Sequence, residues 1–75
     1  MVKQRTLASL NIGEKAIVIG FTDEILSLKF LEMGLLPGTE LILNQTAPMG
    51  DPIAIKIADY LLAIRIDEAE TVLVI

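Results

Sequence analysis

The chain has 75 residues, of which 53% are apolar, and a formal net charge of −4. It contains no cysteine and no histidine, so disulfides are excluded, and so is a zinc site built on cysteine. The acidic balance argues against a nucleic-acid binder, which usually carries a basic surface. A chain of this length makes one domain, which we assign to residues 1–75 with a core from 6 to 74.

Apolar runs in the chain are short. A membrane-spanning helix needs about 20 consecutive apolar residues, whereas the longest uninterrupted run here is Tyr60 to Ile64. The apolar stretch near the start of the sequence is too short and too polar to be the apolar region of a signal peptide. We therefore expect a cytosolic protein without direct membrane insertion. The surplus of apolar residues in so small a domain indicates exposed patches that bind partners.

The first predicted elements are a helical turn and a strand. Residues 6–10 are typical of a single helical turn, and residues 16–21 have the composition and alternation of a strand. Gly20 predicts a bend or a close backbone approach near the end of that strand.

A helix is predicted over residues 24–33. Asp23 precedes it and can cap its first amides. Gly34 is expected to end it in the left-handed conformation, and in such an ending Leu35 would contact Phe30 across the cap.

The rest of the chain alternates with period two. Pro37 and Gly38 occupy the two positions that a type II turn requires. The strands expected after that turn are 39–45, 53–57, 62–66 and 72–75, with a short helical or 3₁₀ turn at 67–70. Five short strands and one inserted helix predict a mainly β fold, a small closed β-barrel.

The predicted helix carries apolar side chains on nearly two sides. At about 100° per residue, one side gathers Leu26, Phe30 and Met33. A second side holds Leu28 and Leu31, with Ile25 at its edge. Two interpretations stay open: either the helix lies in the barrel mouth with both sides covered, or one side is exposed and binds a partner.

No group of residues in the chain is typical of catalysis. Histidine and cysteine are absent, and Ser9 and Ser27 lie in ordinary structural contexts. The acidic residues of 67–70 are expected to form a solvated turn, and without an EF-hand pattern they predict no metal site. We therefore expect no enzyme, no metal ligands and no cofactor.

A second notable segment is the proline-flanked loop at 47–52. Pro48 and Pro52 stiffen its ends, Gly50 supplies an unusual backbone conformation, and Asp51 can hydrogen-bond nearby backbone. Met49 is expected at the tip, where it either packs against the domain or binds something else.

Two segments of the chain, taken together at the spacing they have here, resemble the FeoA family. They are Met33-Gly34-Leu35-x-Pro37-Gly38-Thr39 and Ala47-Pro48-Met49-Gly50-Asp51-Pro52, and the resemblance extends from about Thr6 to Val74. It implies an SH3-like β-barrel of about five strands with one inserted α-helix at about residues 24–33. It also implies a small cytosolic protein of bacterial ferrous-iron uptake, which assists or regulates FeoB, a membrane transporter with a cytoplasmic GTP-binding domain.

The leading hypothesis is an accessory protein that binds the cytoplasmic region of FeoB. One alternative is a direct transition-metal sensor or iron-binding module, which the lack of histidine and cysteine makes difficult. Another is a self-associating barrel, a weak homodimer paired through residues 61–66 or 72–75. The candidate partner-binding residues are Leu26, Lys29, Phe30, Met33, Leu36, Pro48, Met49 and Asp51. The residues expected to shape the backbone of the two motifs are Gly34, Pro37, Gly38, Gly50 and Pro52.

Overall fold

The computed structural model describes residues 5–75, which form six strands, two α-helices and a 3₁₀ turn. In chain order the elements are β1 (Arg5–Thr6), the 3₁₀ turn (Leu7–Ser9), β2 (Lys15–Phe21), α1 (Glu24–Glu32), β3 (Glu40–Thr46), β4 (Ile53–Ile57), β5 (Tyr60–Ile64), α2 (Ile66–Ala69) and β6 (Val72–Val74). The predicted fold class, strands and helix are confirmed. The additional strand is β1, and the strand expected to reach Ile66 ends at Ile64 because Ile66 begins α2.

The strands form one antiparallel sheet with the order β1-β6-β2-β3-β4-β5. The long strand β2 pairs with β3 through residues 15–17 and with β6 through residues 18–21. The register with β6 shifts between Val18 and Gly20, which places an irregularity where Gly20 predicted a bend. Because one strand serves two partners along its length, the sheet turns around a common interior.

The barrel is open between β5 and β1, where we had expected closure. Among residues 5–75 no ladder joins these two strands, which lie at the two ends of the strand order. Instead α2, which follows β5 in the chain, packs against the 3₁₀ turn, which follows β1. Two short helical segments therefore meet beside the gap.

The core is aliphatic, with one aromatic side chain fully inside. Alternate residues of each long strand point inward, so that Ile53, Ile55 and Ile57 of β4 are buried while Lys56 is exposed. The ring of Phe30 is fully buried and stacks on Phe21 with 5.7 Å between the ring centroids. Burying one such side chain contributes about 1.5–3 kcal/mol. Further buried residues are Leu7, Val18, Leu35, Leu41, Leu43, Ile64, Val72 and Val74.

Both ends of α1 are capped as predicted. A carboxylate oxygen of Asp23 accepts hydrogen bonds from the amides of Ile25 and Leu26, each at 2.9 Å. At the other end Gly34 has φ 90°, and the amide of Leu35 donates to the carbonyl of Phe30 at 2.9 Å. The 3.1 Å bond from the Gly34 amide to the carbonyl of residue 31 completes a Schellman ending. Both ends of the helix are thereby fixed.

The turn that follows α1 and the turn between β4 and β5 differ in how well they were predicted. The amide of Thr39 donates to the carbonyl of Leu36 at 2.9 Å, and Gly38 has φ 94°, as a type II turn requires. The β4–β5 turn lies one residue earlier than expected, because Ile57 pairs with Tyr60 and leaves residues 58–59 as the turn. Ala58 there adopts φ 53°, a conformation that residues other than glycine rarely adopt.

Within residues 5–75, none of the helices has the length and apolar character that crossing a membrane would require.

Candidate partner-docking surface

One side of α1 belongs to the core. Phe30 is fully buried, and Leu26 and Met33 are half-buried against the core residues. The prediction that Phe30 binds a partner is therefore wrong, because its ring stacks on Phe21 inside the barrel. The side chains of Leu26 and Met33 pack largely against the same core.

The other side of α1 is exposed and apolar. Ile25 is 81% exposed, Leu28 63% and Leu31 41%. These three residues, spaced three apart along the helix, form what we call the helix ridge. Of the two interpretations of the helix, the one with an exposed stripe agrees with the structure. The exposed stripe is, however, the second side of the helix and not the side whose residues were chosen as candidates.

An ion pair joins α1 to α2. The ammonium of Lys29 lies 2.7 Å from a carboxylate oxygen of Glu68. The other carboxylate oxygen of Glu68 accepts a 3.2 Å bond from the amide of Arg65, at the start of α2. The hydrogen bond from Lys29 and the backbone bond from Arg65 lower the pKa of Glu68. Lys29 thus has a structural partner while its side chain stays about half exposed.

The tip loop, residues 47–52, is an ordered turn. The amide of Ala47 donates to the carbonyl of Pro52 at 2.9 Å, and the amide of Gly50 to the carbonyl of Ala47 at 2.7 Å. Gly50 has φ 89°, and the Asp51–Pro52 peptide bond is cis. The carboxylate of Asp51 accepts a 3.1 Å bond from a backbone amide, that of residue 66 in α2. The roles predicted for Gly50 and Asp51 in shaping the loop agree with this geometry.

Met49 projects from the tip loop. It is 92% exposed, so the explanation in which Met49 packs against the domain is wrong. Pro48 beside it is exposed as well, and so is Leu36, in the turn that follows α1. A flexible thioether side chain in open solvent suits an adaptable contact with another molecule.

The structure thus brings some candidates together and separates others. Lys29 and Asp51 both bind α2, one through Glu68 and the other through the amide of Ile66. Phe30 lies in the buried core. The helix ridge was missed as a set of candidates, although its spacing of three was visible in the sequence. One signal could have identified it: the predicted contact of Leu35 with Phe30 requires the Phe30 side of the helix to face the interior.

A model of the FeoA domain matches residues 5–75. The chain belongs to the FeoA family. Among solved structures, this FeoA domain resembles a FeoA-like protein from Clostridium acetobutylicum, with 39% identity and a TM-score of 0.87. That match covers 99% of this chain and 87% of the other.

A second FeoA structure establishes the fold class. The FeoA of Stenotrophomonas maltophilia, solved in complex with zinc and described as a prokaryotic SH3 domain protein, is 27% identical with a TM-score of 0.81. The match covers 93% of this chain and 88% of the other. A manganese-dependent transcriptional repressor is 15% identical with a TM-score of 0.87, and only 37% of its length is covered, so it shares the fold alone.

A curated relative links the family to ferrous iron transport. A fusion of Fe(2+) transport protein A with the Fe(2+) transporter FeoB, from Porphyromonas gingivalis, is 30% identical over 64 residues. The match covers 84% of this FeoA domain and 8% of the fusion protein. In that relative a FeoA segment and the transporter share one polypeptide.

The zinc complex of the Stenotrophomonas relative raises the question of a metal site in this chain. Histidine and cysteine are absent from the sequence. In the part of the chain that the structure describes, no three carboxylates are grouped so that they could hold an ion. The residues present therefore do not fit a resident transition metal, which prefers nitrogen and sulfur ligands.

Proposed function

We propose that this FeoA domain is a cytoplasmic accessory protein of ferrous iron transport that binds the cytoplasmic region of a FeoB transporter and regulates it without catalysing a reaction. The observation that carries the proposal is the fusion of a FeoA segment with FeoB in one relative. A covalent link holds two domains at a high effective concentration. Such an arrangement favours two domains that act in direct contact.

The helix ridge is the docking surface that we propose for this contact. Ile25, Leu28 and Leu31 expose large aliphatic side chains in one row. Burial of their exposed parts against a partner would contribute a fraction of the about 1.5–3 kcal/mol that complete burial of such a side chain provides. The exposed carboxylates of Glu24 and Glu32 lie on the same helix. A complementary site on the transporter would therefore be an apolar groove with basic residues at its rim.

The ridge is held in place before a partner arrives. The Asp23 cap fixes the first turn of α1, the Schellman ending fixes the last, and the Lys29–Glu68 pair ties the helix to α2. A surface that is already ordered loses little conformational entropy when it binds. The ridge can thus bind without refolding.

The tip loop supplies a second contact in this proposal. Met49 and Pro48 project from it, and the bond from the Ile66 amide to Asp51 attaches it to α2. Since α2 also binds Lys29 of α1, the loop and the helix are attached to one common element. Leu36 extends the apolar surface beyond the end of the helix.

Isothermal titration of this domain into the purified cytoplasmic domain of the transporter tests the proposal. Leu28→Asp should weaken binding by tenfold or more, because a carboxylate would be buried in an apolar contact. Ile12→Asp is a matched control, since Ile12 is 64% exposed against 63% for Leu28 but lies outside α1.

Two results would contradict the proposal. No heat of binding with the wild-type domain at two well-separated temperatures would exclude a direct interaction of useful strength, because burial of apolar surface makes the binding enthalpy change with temperature. Binding that Leu28→Asp and Ile12→Asp weaken equally would show that the helix ridge is not the docking surface. Far-ultraviolet circular dichroism of both variants should match the wild type, because neither side chain is part of the core.

A further inference from the structure

Within residues 5–75, strand β5 has one free edge. It is the terminal strand of the sheet and pairs only with β4 in the described ladders. The two-residue turn makes Ile57 and Tyr60 a hydrogen-bonded pair, so alternate residues of β5 direct their backbone groups toward β4. Leu61 and Ala63 then direct theirs outward, and within residues 5–75 neither makes any other backbone hydrogen bond.

This edge lacks the features that usually protect a terminal strand. Residues 60–64 contain no proline and no charged residue, and the β4–β5 ladder runs without a register shift. Leu61 is 56% exposed, and Ala63 is exposed beside it. Proteins commonly prevent pairing at such edges with charges, prolines or bulges. An apolar strand without a bulge and with free donors and acceptors is suited to pairing with another strand.

We propose that β5 pairs with β5 of a second copy of this chain, antiparallel about a twofold axis through Leu62. In this register Leu61 of each copy lies opposite Ala63 of the other. All four outward backbone groups of each strand, two N–H and two C=O, are then paired across the interface. The contact extends the sheet through two barrels.

Charge complementarity selects this occupant and this register. The same register places Asp59 opposite Arg65 of the second copy, and Arg65 opposite its Asp59. Both residues are exposed, and neither belongs to a salt bridge that the structure describes. They cannot pair within one copy, because the five residues of β5 lie between them and hold them about 20 Å apart.

The neighbouring registers lose this match. If Leu61 of one copy lay opposite Leu61 of the other, Asp59 would lie opposite Ala63. Both Asp59 and Arg65 would then be left unpaired. The other strand expected to self-associate, residues 72–75, is not available, because β6 lies between β1 and β2 with both edges occupied. Among the strands described within residues 5–75, β5 is the one whose free edge is flanked by complementary charges.

Sedimentation velocity of the complete chain, from about 10 µM to about 1 mM at low salt, tests the proposal. The wild type should show a concentration-dependent monomer–dimer equilibrium. D59R places two arginines opposite each other at each end of the interface, and R65D places two aspartates there. Each variant should dimerise about tenfold more weakly.

The decisive sample is an equimolar mixture of D59R and R65D. In a mixed dimer the arginine introduced at position 59 of one copy faces the aspartate introduced at position 65 of the other. At the opposite end of the interface the unchanged Arg65 faces the unchanged Asp59, so association should return to the wild-type level. The double variant D59R/R65D should return to it as well. A merely structural role for either residue would not produce such recovery.

Two outcomes would overturn the inference. One is a wild-type chain that stays monomeric across the whole concentration range. The other is a mixture that associates no more strongly than D59R or R65D alone. A shared thermal unfolding midpoint for the wild type and both variants, measured at a dilution where each is monomeric, would establish that all samples are folded, since association itself raises the midpoint.

Discussion

A β-carbon placed on Gly34 would lie 2.6 Å from the hydroxyl oxygen of Tyr60. That hydroxyl donates a 3.0 Å hydrogen bond to the carbonyl of Met33, the last residue of the helix cap. The first residue of β5 is thus bound to the end of α1 across 27 positions of sequence. Gly34 is required both by its backbone conformation and by the closeness of this ring.

Replacement of Gly34 by alanine should lower the free energy of unfolding by about 2–3 kcal/mol. About 1–2 kcal/mol comes from a β-carbon in the left-handed region. About 1 kcal/mol more comes from displacement of Tyr60 and loss of its hydrogen bond. Urea denaturation followed by circular dichroism measures the sum.

Gly13 provides the control for that prediction. It has φ 88°, close to that of Gly34, but no atom lies within 4 Å of the position that a β-carbon would take there. Gly13→Ala should therefore show the backbone cost alone. In a Tyr60→Phe background the costs of the two glycine substitutions should converge. Equal costs in the wild-type background would refute the contribution of Tyr60.

The two sides of α1 should respond differently to truncation. Phe30→Ala should cost about 3–5 kcal/mol, since the ring is fully buried and stacks on Phe21. Leu28→Ala should change stability by no more than about 0.5 kcal/mol, because most of that side chain is in solvent. Chemical denaturation of both variants checks the orientation of the helix. A large loss for Leu28→Ala would mean that the helix is turned the other way.

Acid should destabilise the fold partly through Glu14. The guanidinium of Arg5 and the amide of Asn11 donate hydrogen bonds to its carboxylate, which lowers the pKa of Glu14 from 4.5 to about 2. A carboxyl whose pKa is lower in the folded state contributes stability above its unfolded pKa. That contribution is lost as the pH falls from about 4.5 to about 2.

Denaturation at several pH values from about 7 to about 2 measures this dependence. Glu14→Gln should flatten the fall in stability across the acid range, and Arg5→Gln should do so as well by removing the principal donor. An NMR titration of the Glu14 carboxyl provides a direct check. A midpoint near the unfolded value would show that the pair does not persist in solution.

Ferrous ion should not bind this domain stoichiometrically at micromolar concentration. The chain has no histidine or cysteine, and among the residues that the structure describes no three carboxylates are arranged so that they could hold an ion. Anaerobic calorimetry with the ion alone at neutral pH measures this. Stoichiometric binding tighter than about 10 µM would favour the iron-binding alternative over the accessory role.

Much of the fold could be predicted because its local signals are strong. Asp23 and Gly34 marked the ends of α1, and Pro37 with Gly38 marked the following turn. Strand β1 could not be predicted, because a strand of two residues is too short to show an alternation of apolar and polar side chains. The end of β5 was placed too late because Ile66 continues the alternation. The Glu68 side chain, bound to the amide of Arg65, starts a helix there instead.

The candidate surface was harder to predict than the fold. The helix has nearly equal apolar content on two sides, so its periodicity alone cannot indicate which side is buried. Which side of the helix is buried depends on tertiary contacts, chiefly the stacking of Phe30 on Phe21. The loop candidates were easier, because proline and glycine specify the turn that leaves Met49 at the tip.

The two apolar sides of α1 also mean that the helix itself hardly discriminates between two ways of lying on the barrel, related by a half-turn about its axis. Two contacts near its C-terminal end fix the orientation: the ring of Phe30 stacks on Phe21, and Leu35 is buried with its amide bound to the carbonyl of Phe30. Loss of both contacts would leave the rotation of the helix undetermined. The face offered to a partner would then change although every residue on that face stayed the same.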